Sequence, residues 1–192
     1  MKVQNINFLN KQNAIVKWSS GALLSIAALL LVVGCAGTAP EKSNELTDAN
    51  IAAIVVGANK IDISAGNIAL ERSSNPEVKD FAQRMITDHN AVLDSAVALV
   101  TRLGVTPVNN DLVATLAAQS QKHEAKLKTL SGKAFDKAYI DHEVAYHEAV
   151  ISVIENQLIP GAHNEELKQT LISVVPAFKA HLDHCKMIQK SI

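Results

Sequence analysis

Cysteine and aromatic residues are scarce in this chain, which has two cysteines and 4% aromatic residues among its 192 positions. No strand pattern, glycine-rich phosphate loop or internal repeat stands out in the sequence. The motifs Gly-x-Ser-x-Gly, His-Glu-x-x-His and Cys-x-x-Cys are also missing. The sequence therefore gives no indication of a nucleophilic hydrolase, a zinc protease or a dithiol oxidoreductase, and it does not predict an enzyme.

Acidic residues are absent from the N-terminal region, where none precedes Glu41. The basic residues of its first part are Lys2, Lys11 and Lys17. A mostly apolar run over residues 21–34 follows, which is shorter than the roughly 20 residues of a membrane span but suits a signal peptide. Because small residues immediately precede Cys35, we predict a bacterial lipoprotein signal peptide over residues 1–34, with Cys35 as the lipidated first residue. An uncleaved anchor helix and an ordinary secretory signal are the alternatives.

The segment after the cysteine is small and polar, and residues 35–47 are predicted to be a flexible tether between lipid and domain. Ala36, rather than Asp, follows the cysteine. We therefore expect a cell-envelope protein that is held to the outer membrane through the lipid on Cys35 and faces the periplasm.

The composition of the mature chain narrows its class. Removal of the three signal-peptide lysines changes the net charge from −1 to −4, which argues against nucleic acid as a partner. Only Cys185 remains as a free thiol once Cys35 is lipidated, so no disulfide can form within the chain. The sequence names no protein partner.

Apolar residues recur at helical spacing along the rest of the chain, and an all-α fold is predicted. Thr47 and Asn75 are expected to cap helices, Gly104 to end one, and Pro176 to bend the last. The four long helices are predicted over residues 48–73, 76–103, 134–158 and 164–190, with a shorter one over 111–130. This pattern is typical of a four-helix bundle with an additional short helix.

Polar side chains interrupt the apolar stripe of every long helix. At about 100° per residue, these positions project inward among apolar neighbours. The candidates are Asp62, His89, Glu143, His147 and His181. Within each helical hairpin these groups can meet, but the sequence does not show whether both hairpins bring them to one height.

An isolated charge inside an apolar bundle costs several kcal/mol or more, so these groups need compensation. They can hydrogen-bond to one another and fix the helix packing. Alternatively, they can bind a transition metal ion, and imidazole with carboxylate suits zinc, iron, manganese or copper. Asp88, beside His89, is a candidate outer partner for such a centre.

Several segments carry a resemblance to a known family. They are NPEVKDFAQRMITDH at residues 75–89, Phe135-Asp136-x-x-Tyr139, His147, and PAFKAHL at residues 176–182. Over residues 48–190 the chain resembles the DUF4142 family of exported bacterial proteins. The resemblance implies a ferritin-like four-helix fold and an envelope location more than it implies an activity.

This chain departs at two points from the sequence patterns of the family and of ferritin-like di-iron enzymes. Asp62 stands where family members usually carry Glu, which shortens the reach of that side chain. Ferritin-like di-iron enzymes use Glu-x-x-His pairs, whereas Glu143 and His147 are four residues apart. We therefore expect a metal-binding or metal-sensing envelope lipoprotein rather than an iron oxidase. The alternative is a non-enzymatic structural or stress-related envelope module.

Overall fold

The computed structural model describes residues 46–192, and every regular element in that range is helical. The predicted signal peptide, Cys35 and the tether up to residue 45 lie outside the described residues. The elements are α1 (Asp48–Arg72), α2 (Pro76–Leu103), α3 (Asp111–Lys128), α4 (Gly132–Val153), a π-helical turn (Ile154–Leu158), α5 (Ile159–Gly161) and α6 (Glu165–Ser191). The four long helices form a ferritin-like bundle, and α3 is the additional short helix.

Side chains at the helix starts satisfy backbone N–H groups that have no partner within the helix. Thr47 accepts the N–H of Asn50 at 3.2 Å, while the Asn50 side chain accepts the N–H of Thr47 at 3.2 Å. Asn75 accepts the N–H of Glu77 at 2.9 Å, and proline, which has no N–H to satisfy, follows as the first helical residue. Both N-caps are as the sequence predicts.

Helices α1 and α2 form one hairpin, and they approach closely at Gly66. A Cβ atom at this position would lie 3.0 Å from Cγ1 of Ile86 and 3.2 Å from the carbonyl oxygen of Ala82. Glycine therefore lets the two backbones come near to each other. At the far end of α2, Gly104 adopts φ 66°, a left-handed conformation that suits glycine and ends the helix as predicted.

Helix α3 lies along α1 and α4 and buries little of itself. Its polar contacts include a hydrogen bond from Ser64 of α1 to Glu124, at 2.8 Å. The imidazole of His123 stacks on that of His142 in α4, with ring centroids 3.5 Å apart. These contacts hold the short helix over the side of the bundle.

The fourth long helix differs from its predicted course over residues 134–158. Regular α-helix ends at Val153, and the N–H of Ile159 then donates to the carbonyl of Ile154, five residues back. Pro160 has no N–H, and its ring crowds the carbonyl four residues earlier, so a wider turn before it relieves the strain. Helix α6, in contrast, continues through Pro176, and the predicted bend there stays a prediction.

Two apolar clusters fill the bundle, one towards each end. The first contains Phe81, Met85, Phe135, Tyr139, Ile140 and Cys185, and the second contains Ile51, Leu99, Ile151, Leu158, Leu171 and Phe178. Along α2, α4 and α6, members of the two clusters lie on opposite sides of the inward polar residues. The candidate residues therefore occupy a layer between two hydrophobic cores.

Helix α1 is the one helix within residues 46–192 that is long and apolar enough to cross a membrane. Half of its most apolar stretch is buried inside the bundle. A core helix of a folded domain has the same composition, so this property follows from its central position.

Candidate metal centre

Five ionisable side chains from the four long helices meet in the layer between the two clusters. Each is at most 2% exposed: Asp62 from α1, His89 from α2, Glu143 and His147 from α4, and His181 from α6. These are the five inward residues that the sequence predicts. In the structure, the inward residues of the two hairpins lie at the same level along the bundle axis, a point that the sequence leaves open.

Asp62 links the two hairpins at the centre of this group. Its Oδ2 lies 3.3 Å from Nε2 of His89 and 3.7 Å from Nε2 of His147. Glu143 lies to one side, with Oε2 3.6 Å from Nδ1 of His147. These separations exceed those of good hydrogen bonds between such groups.

The three imidazoles form a nearly equilateral triangle. The ring centroids of His89, His147 and His181 lie 5.4 to 5.7 Å from one another. Phe178 packs against all three, with centroid distances of 4.9 to 6.2 Å. An aromatic ring from the second apolar cluster therefore borders the triangle and fixes the positions of its members.

The ring proton of His89 is located by Asn59, a buried neighbour one turn before Asp62. Nδ1 of His89 lies 2.9 Å from Oδ1 of Asn59, and the Asn59 amide group donates to the carbonyl of Val55 at 2.8 Å. The second bond orients the amide so that its oxygen faces the ring. Nδ1 of His89 must then carry the proton, which leaves Nε2 with a lone pair directed at Asp62.

The other two rings are held in the same way by groups that only accept hydrogen bonds. Nδ1 of His147 donates to the backbone carbonyl of Glu143 at 3.0 Å. Nε2 of His181 donates to Oδ2 of Asp88 at 2.8 Å. Each ring thus donates a hydrogen bond through one nitrogen to a group outside the centre and directs its other nitrogen towards the centre.

Every inward atom of the centre is buried and has no hydrogen-bond partner within residues 46–192. These atoms are Oδ1 and Oδ2 of Asp62, Nε2 of His89, Oε2 of Glu143, Nε2 of His147 and Nδ1 of His181. Native structures rarely leave buried polar atoms unpaired, and a cluster of such atoms is typical of sites that bind an ion. Six such atoms from five neighbouring residues therefore make this layer a candidate metal site.

Burial also determines the charge states. It raises the pKa of the Asp62 carboxyl to about 8, and with the nearby Asp62 charge it raises the pKa of Glu143 well above its usual value. Burial, with the neighbouring imidazoles, lowers the pKa of His89 to about 2, and burial lowers that of His147 to about 4. The pKa of His181 is also lowered, mainly by burial. The rings are therefore neutral near pH 7, as metal ligands must be.

The ligand atoms form two overlapping groups, each with atoms within 4.8 Å of one another. One group is His89, His147 and His181, and the other is Asp62, Glu143 and His147. Four ligands at 2.0–2.1 Å from a tetrahedral metal ion lie about 3.3–3.4 Å apart. The distances from Asp62 to His89 and His147, 3.3 and 3.7 Å, are close to this value, and small side-chain movements would bring the members of either group around a transition metal ion.

The sequence does not single out two further residues of this region by their role. Asn59 is 2% exposed. The one sequence feature that points to it is its position three residues before Asp62, on the same helix face. Tyr139 is fully buried with an unpaired hydroxyl, and its pKa is raised by burial and by the Glu143 and Asp62 charges. Cys185 belongs to neither ligand group found among residues 46–192, and its thiol donates to the carbonyl of Leu182.

Fold and centre together define a class: a ferritin-like helical bundle with a buried set of imidazole and carboxylate side chains suited to a metal ion. The chain belongs to the DUF4142 family, whose model, described as a domain of unknown function, matches residues 34–188. This match supports the family resemblance that the sequence motifs indicate. No curated protein sequence matches the chain.

A solved structure described as CopM in the Cu(II)-bound form has a similar fold. The TM-score is 0.58 at 18% sequence identity, and the alignment covers 76% of this chain and 98% of that chain. At this identity the likeness shows the fold of the bundle.

Proposed function

We propose that this protein binds a transition metal ion inside its helical bundle. Asp62, His89, His147 and His181 are the ligands that surround the central space, and Glu143 is a further carboxylate beside it. The observation that carries the proposal is the set of six buried and unpaired polar atoms that all four long helices contribute to one layer of the bundle.

A hydrogen-bonded network that only fixes the packing would account less well for these atoms. In such a network the five side chains would bond to one another at normal distances, whereas the closest approach of Asp62 to a ring nitrogen is 3.3 Å. His89 and His147 also present lone pairs rather than protons to Asp62, because their protons on Nδ1 are used in other hydrogen bonds, so an ionised Asp62 gains no hydrogen bond from either ring. A bound cation would satisfy lone pairs and carboxylates together.

The donor set favours an ion of borderline softness. Imidazole suits zinc, copper, iron and nickel, and copper(II) has the highest intrinsic affinity among the divalent first-row metals. CopM, whose fold this chain shares, was solved with Cu(II) bound. We propose copper or zinc as the leading ions, with iron and manganese as further candidates.

Metal titration of the purified full chain tests this proposal. After treatment with a chelator, the protein should bind Cu²⁺ or Zn²⁺ stoichiometrically, as measured by elemental analysis. Its melting temperature should rise, because a ligand at 1,000 times its Kd stabilises by about 4.1 kcal/mol. Absence of both binding and stabilisation would contradict the proposal.

The matched variants separate the centre from adventitious binding. The double variant His89→Leu/His147→Leu should fold but lose the stoichiometric ion. His123→Leu changes a partly buried histidine on α3 that belongs to neither ligand group, and it should bind as the wild type does. If the double variant bound the ion as well as His123→Leu does, the ion would have to bind outside the candidate centre.

We also propose that the bundle works in the cell envelope, held to a membrane through a lipid on Cys35. The basic start, the short apolar run and the small residues before Cys35 support this location. In a bacterial host, the wild-type protein should fractionate with the outer membrane, and Cys35→Ser should release it or leave it unprocessed. Cys185→Ser, which alters the other cysteine, should leave the fractionation unchanged.

A further inference from the structure

The three imidazoles of the centre are held by acceptors of different kinds. Asn59 is a buried neutral amide, and the acceptor for His147 is a backbone carbonyl. His181 alone bonds to a charged side chain, because its Nε2 lies 2.8 Å from Oδ2 of Asp88. The side chain of Asp88 is 39% exposed, whereas that of His181 is 1% exposed. Asp88 thus joins the buried centre to the protein surface.

This contact also reverses the ring of His181 relative to the other two. His89 and His147 use Nδ1 outward and direct Nε2 to the centre. His181 uses Nε2 outward, and its buried Nδ1 is left without a partner. A metal ion in the triangle would therefore be bound by two Nε2 atoms and one Nδ1 atom.

The position of Asp88 on the surface is itself constrained. Its Oδ2 also accepts a hydrogen bond from Nε of Arg84, one turn earlier on α2, at 3.3 Å. One carboxylate oxygen is thus shared between Arg84 and His181. The arginine holds the carboxylate against α2, at the place where the ring of α6 reaches it.

We propose that Asp88 is a positioning residue that commits His181 to binding the metal ion through Nδ1. The inference rests on the proposed metal-binding function and adds an outer residue to it. A carboxylate that accepts the outer N–H of a ligating histidine fixes its tautomer and raises its basicity. Without Asp88, His181 is free to change tautomer or turn its ring, and the third nitrogen of the triangle is lost or weakened.

Nitrogen NMR of the histidine rings tests the tautomer directly. In the metal-free wild-type chain, His181 should appear as the neutral ring with its proton on Nε2, opposite to His89 and His147. Addition of Zn²⁺, which is diamagnetic, should shift the Nδ1 resonance of His181 and the Nε2 resonances of the other two. A shift at Nε2 of His181, or a metal-free ring protonated at Nδ1, would overturn the proposal.

Affinity measurements then separate positioning from a structural role. Asp88→Ala should lower the Zn²⁺ affinity about 10- to 100-fold, as outer partners of metal ligands do. It should also lower the metal-free melting temperature, because the buried N–H of His181 loses its acceptor, which Asp88→Asn keeps. Asp88→Asn retains an acceptor without the charge. Its Zn²⁺ affinity should therefore lie between that of the wild type and that of Asp88→Ala. Asp94→Asn removes the same charge from an exposed residue of α2 and should leave the affinity unchanged.

The outcomes distinguish this inference from the proposed function. Wild-type protein that binds no Zn²⁺ would overturn the metal-binding proposal, and the role of Asp88 with it. Wild-type protein that binds Zn²⁺ with the same affinity as Asp88→Ala would overturn the role of Asp88 alone. Equal losses in Asp88→Ala and Asp94→Asn would show a general charge effect and would likewise overturn it.

Discussion

Two buried carboxylates, Asp62 in the middle of the bundle and Asp136 near its end, are treated in opposite ways. Asp136 is 4% exposed and accepts a hydrogen bond of 2.5 Å from the hydroxyl of Ser73, which is itself 4% exposed. The same hydroxyl oxygen accepts the N–H of Asn75 at 3.1 Å. Asp62 is 1% exposed, and neither of its oxygens has a hydrogen-bond partner within residues 46–192.

The difference separates a group that belongs to the fold from one that belongs to a site. Asp136 is paired within the protein and ties the start of α4 to the turn between α1 and α2. Asp62 faces the Nε2 lone pair of His89 at 3.3 Å, beyond a good hydrogen bond, so the described part of the protein leaves both of its oxygens unpaired. An unpaired buried polar group costs about 1–3 kcal/mol, and more when it is charged. Such a cost is retained where a ligand supplies the missing partner.

Among the variants that test this comparison, Asp62→Asn should have the largest effect. Its metal affinity should fall at least 100-fold, about 2.7 kcal/mol, since the central anionic ligand is lost. The metal-free protein should be at least as stable as the wild type, because the new amide can donate to Nε2 of His89. Isothermal titration with Zn²⁺ and urea unfolding of the metal-free protein measure the two effects. A variant that is destabilised but binds Zn²⁺ normally would place Asp62 with Asp136 as a structural group.

The pH dependence of the metal-free protein is the next largest effect. Asp62 has a folded pKa of about 8, above its ordinary value of 3.8, so the folded state binds more protons than the unfolded state between these values. Its contribution to stability is therefore lost as pH rises, by about 1.6 kcal/mol between pH 6.5 and 8 for one carboxyl. The lowered pKa values of the buried histidines act in the opposite direction, because each unfolded imidazole is still half protonated at pH 6.5, so each adds about 0.4 kcal/mol of stability as pH rises to 8. These histidines are His89, His123, His142, His147 and His181.

Urea unfolding at pH 6.5, 7.2 and 8 in the presence of a chelator measures this slope. Across the series the wild type should lose more stability, or gain less, than Asp62→Asn, because the variant lacks one of the two raised carboxyls while the histidine contributions are common to both proteins. The contribution of Glu143 should remain in both proteins. Parallel slopes would mean that Asp62 does not take up a proton on folding.

Much of the fold follows from local sequence signals. Thr47, Asn75 and Gly104 act at helix ends through contacts within a few residues, and the helical period identifies the inward positions. The π-helical turn before Pro160 is missed, because its wider hydrogen bonding leaves no mark in the apolar period. Local sequence thus determines where the helices form and which face of each helix turns inward. The irregular turn depends instead on how the structure accommodates Pro160.

The candidate centre follows from the sequence only in its membership. The contact of 3.7 Å between Asp62 and His147 joins the two hairpins, and it depends on how far one hairpin slides along the other. That register is decided by packing between the two hairpins, which has no local signature in the sequence. Asn59 is missed for a different reason, since an uncharged amide within a helix shows its role only when its neighbours are placed.

The smallest predicted effect concerns the paired carboxylate. Ser73→Ala removes the hydroxyl donor of Asp136 and should lower the free energy of unfolding by about 1–2 kcal/mol, because a buried acceptor is left unsatisfied. The Zn²⁺ affinity should not change, since Ser73 lies at the turn between α1 and α2 and contacts none of the five central residues. Ser74→Ala, at the exposed neighbouring position, is the matched control and should alter neither quantity. A fall in Zn²⁺ affinity for Ser73→Ala would show that the end of the bundle and its centre are coupled, and the distinction between the two carboxylates would then have to be abandoned.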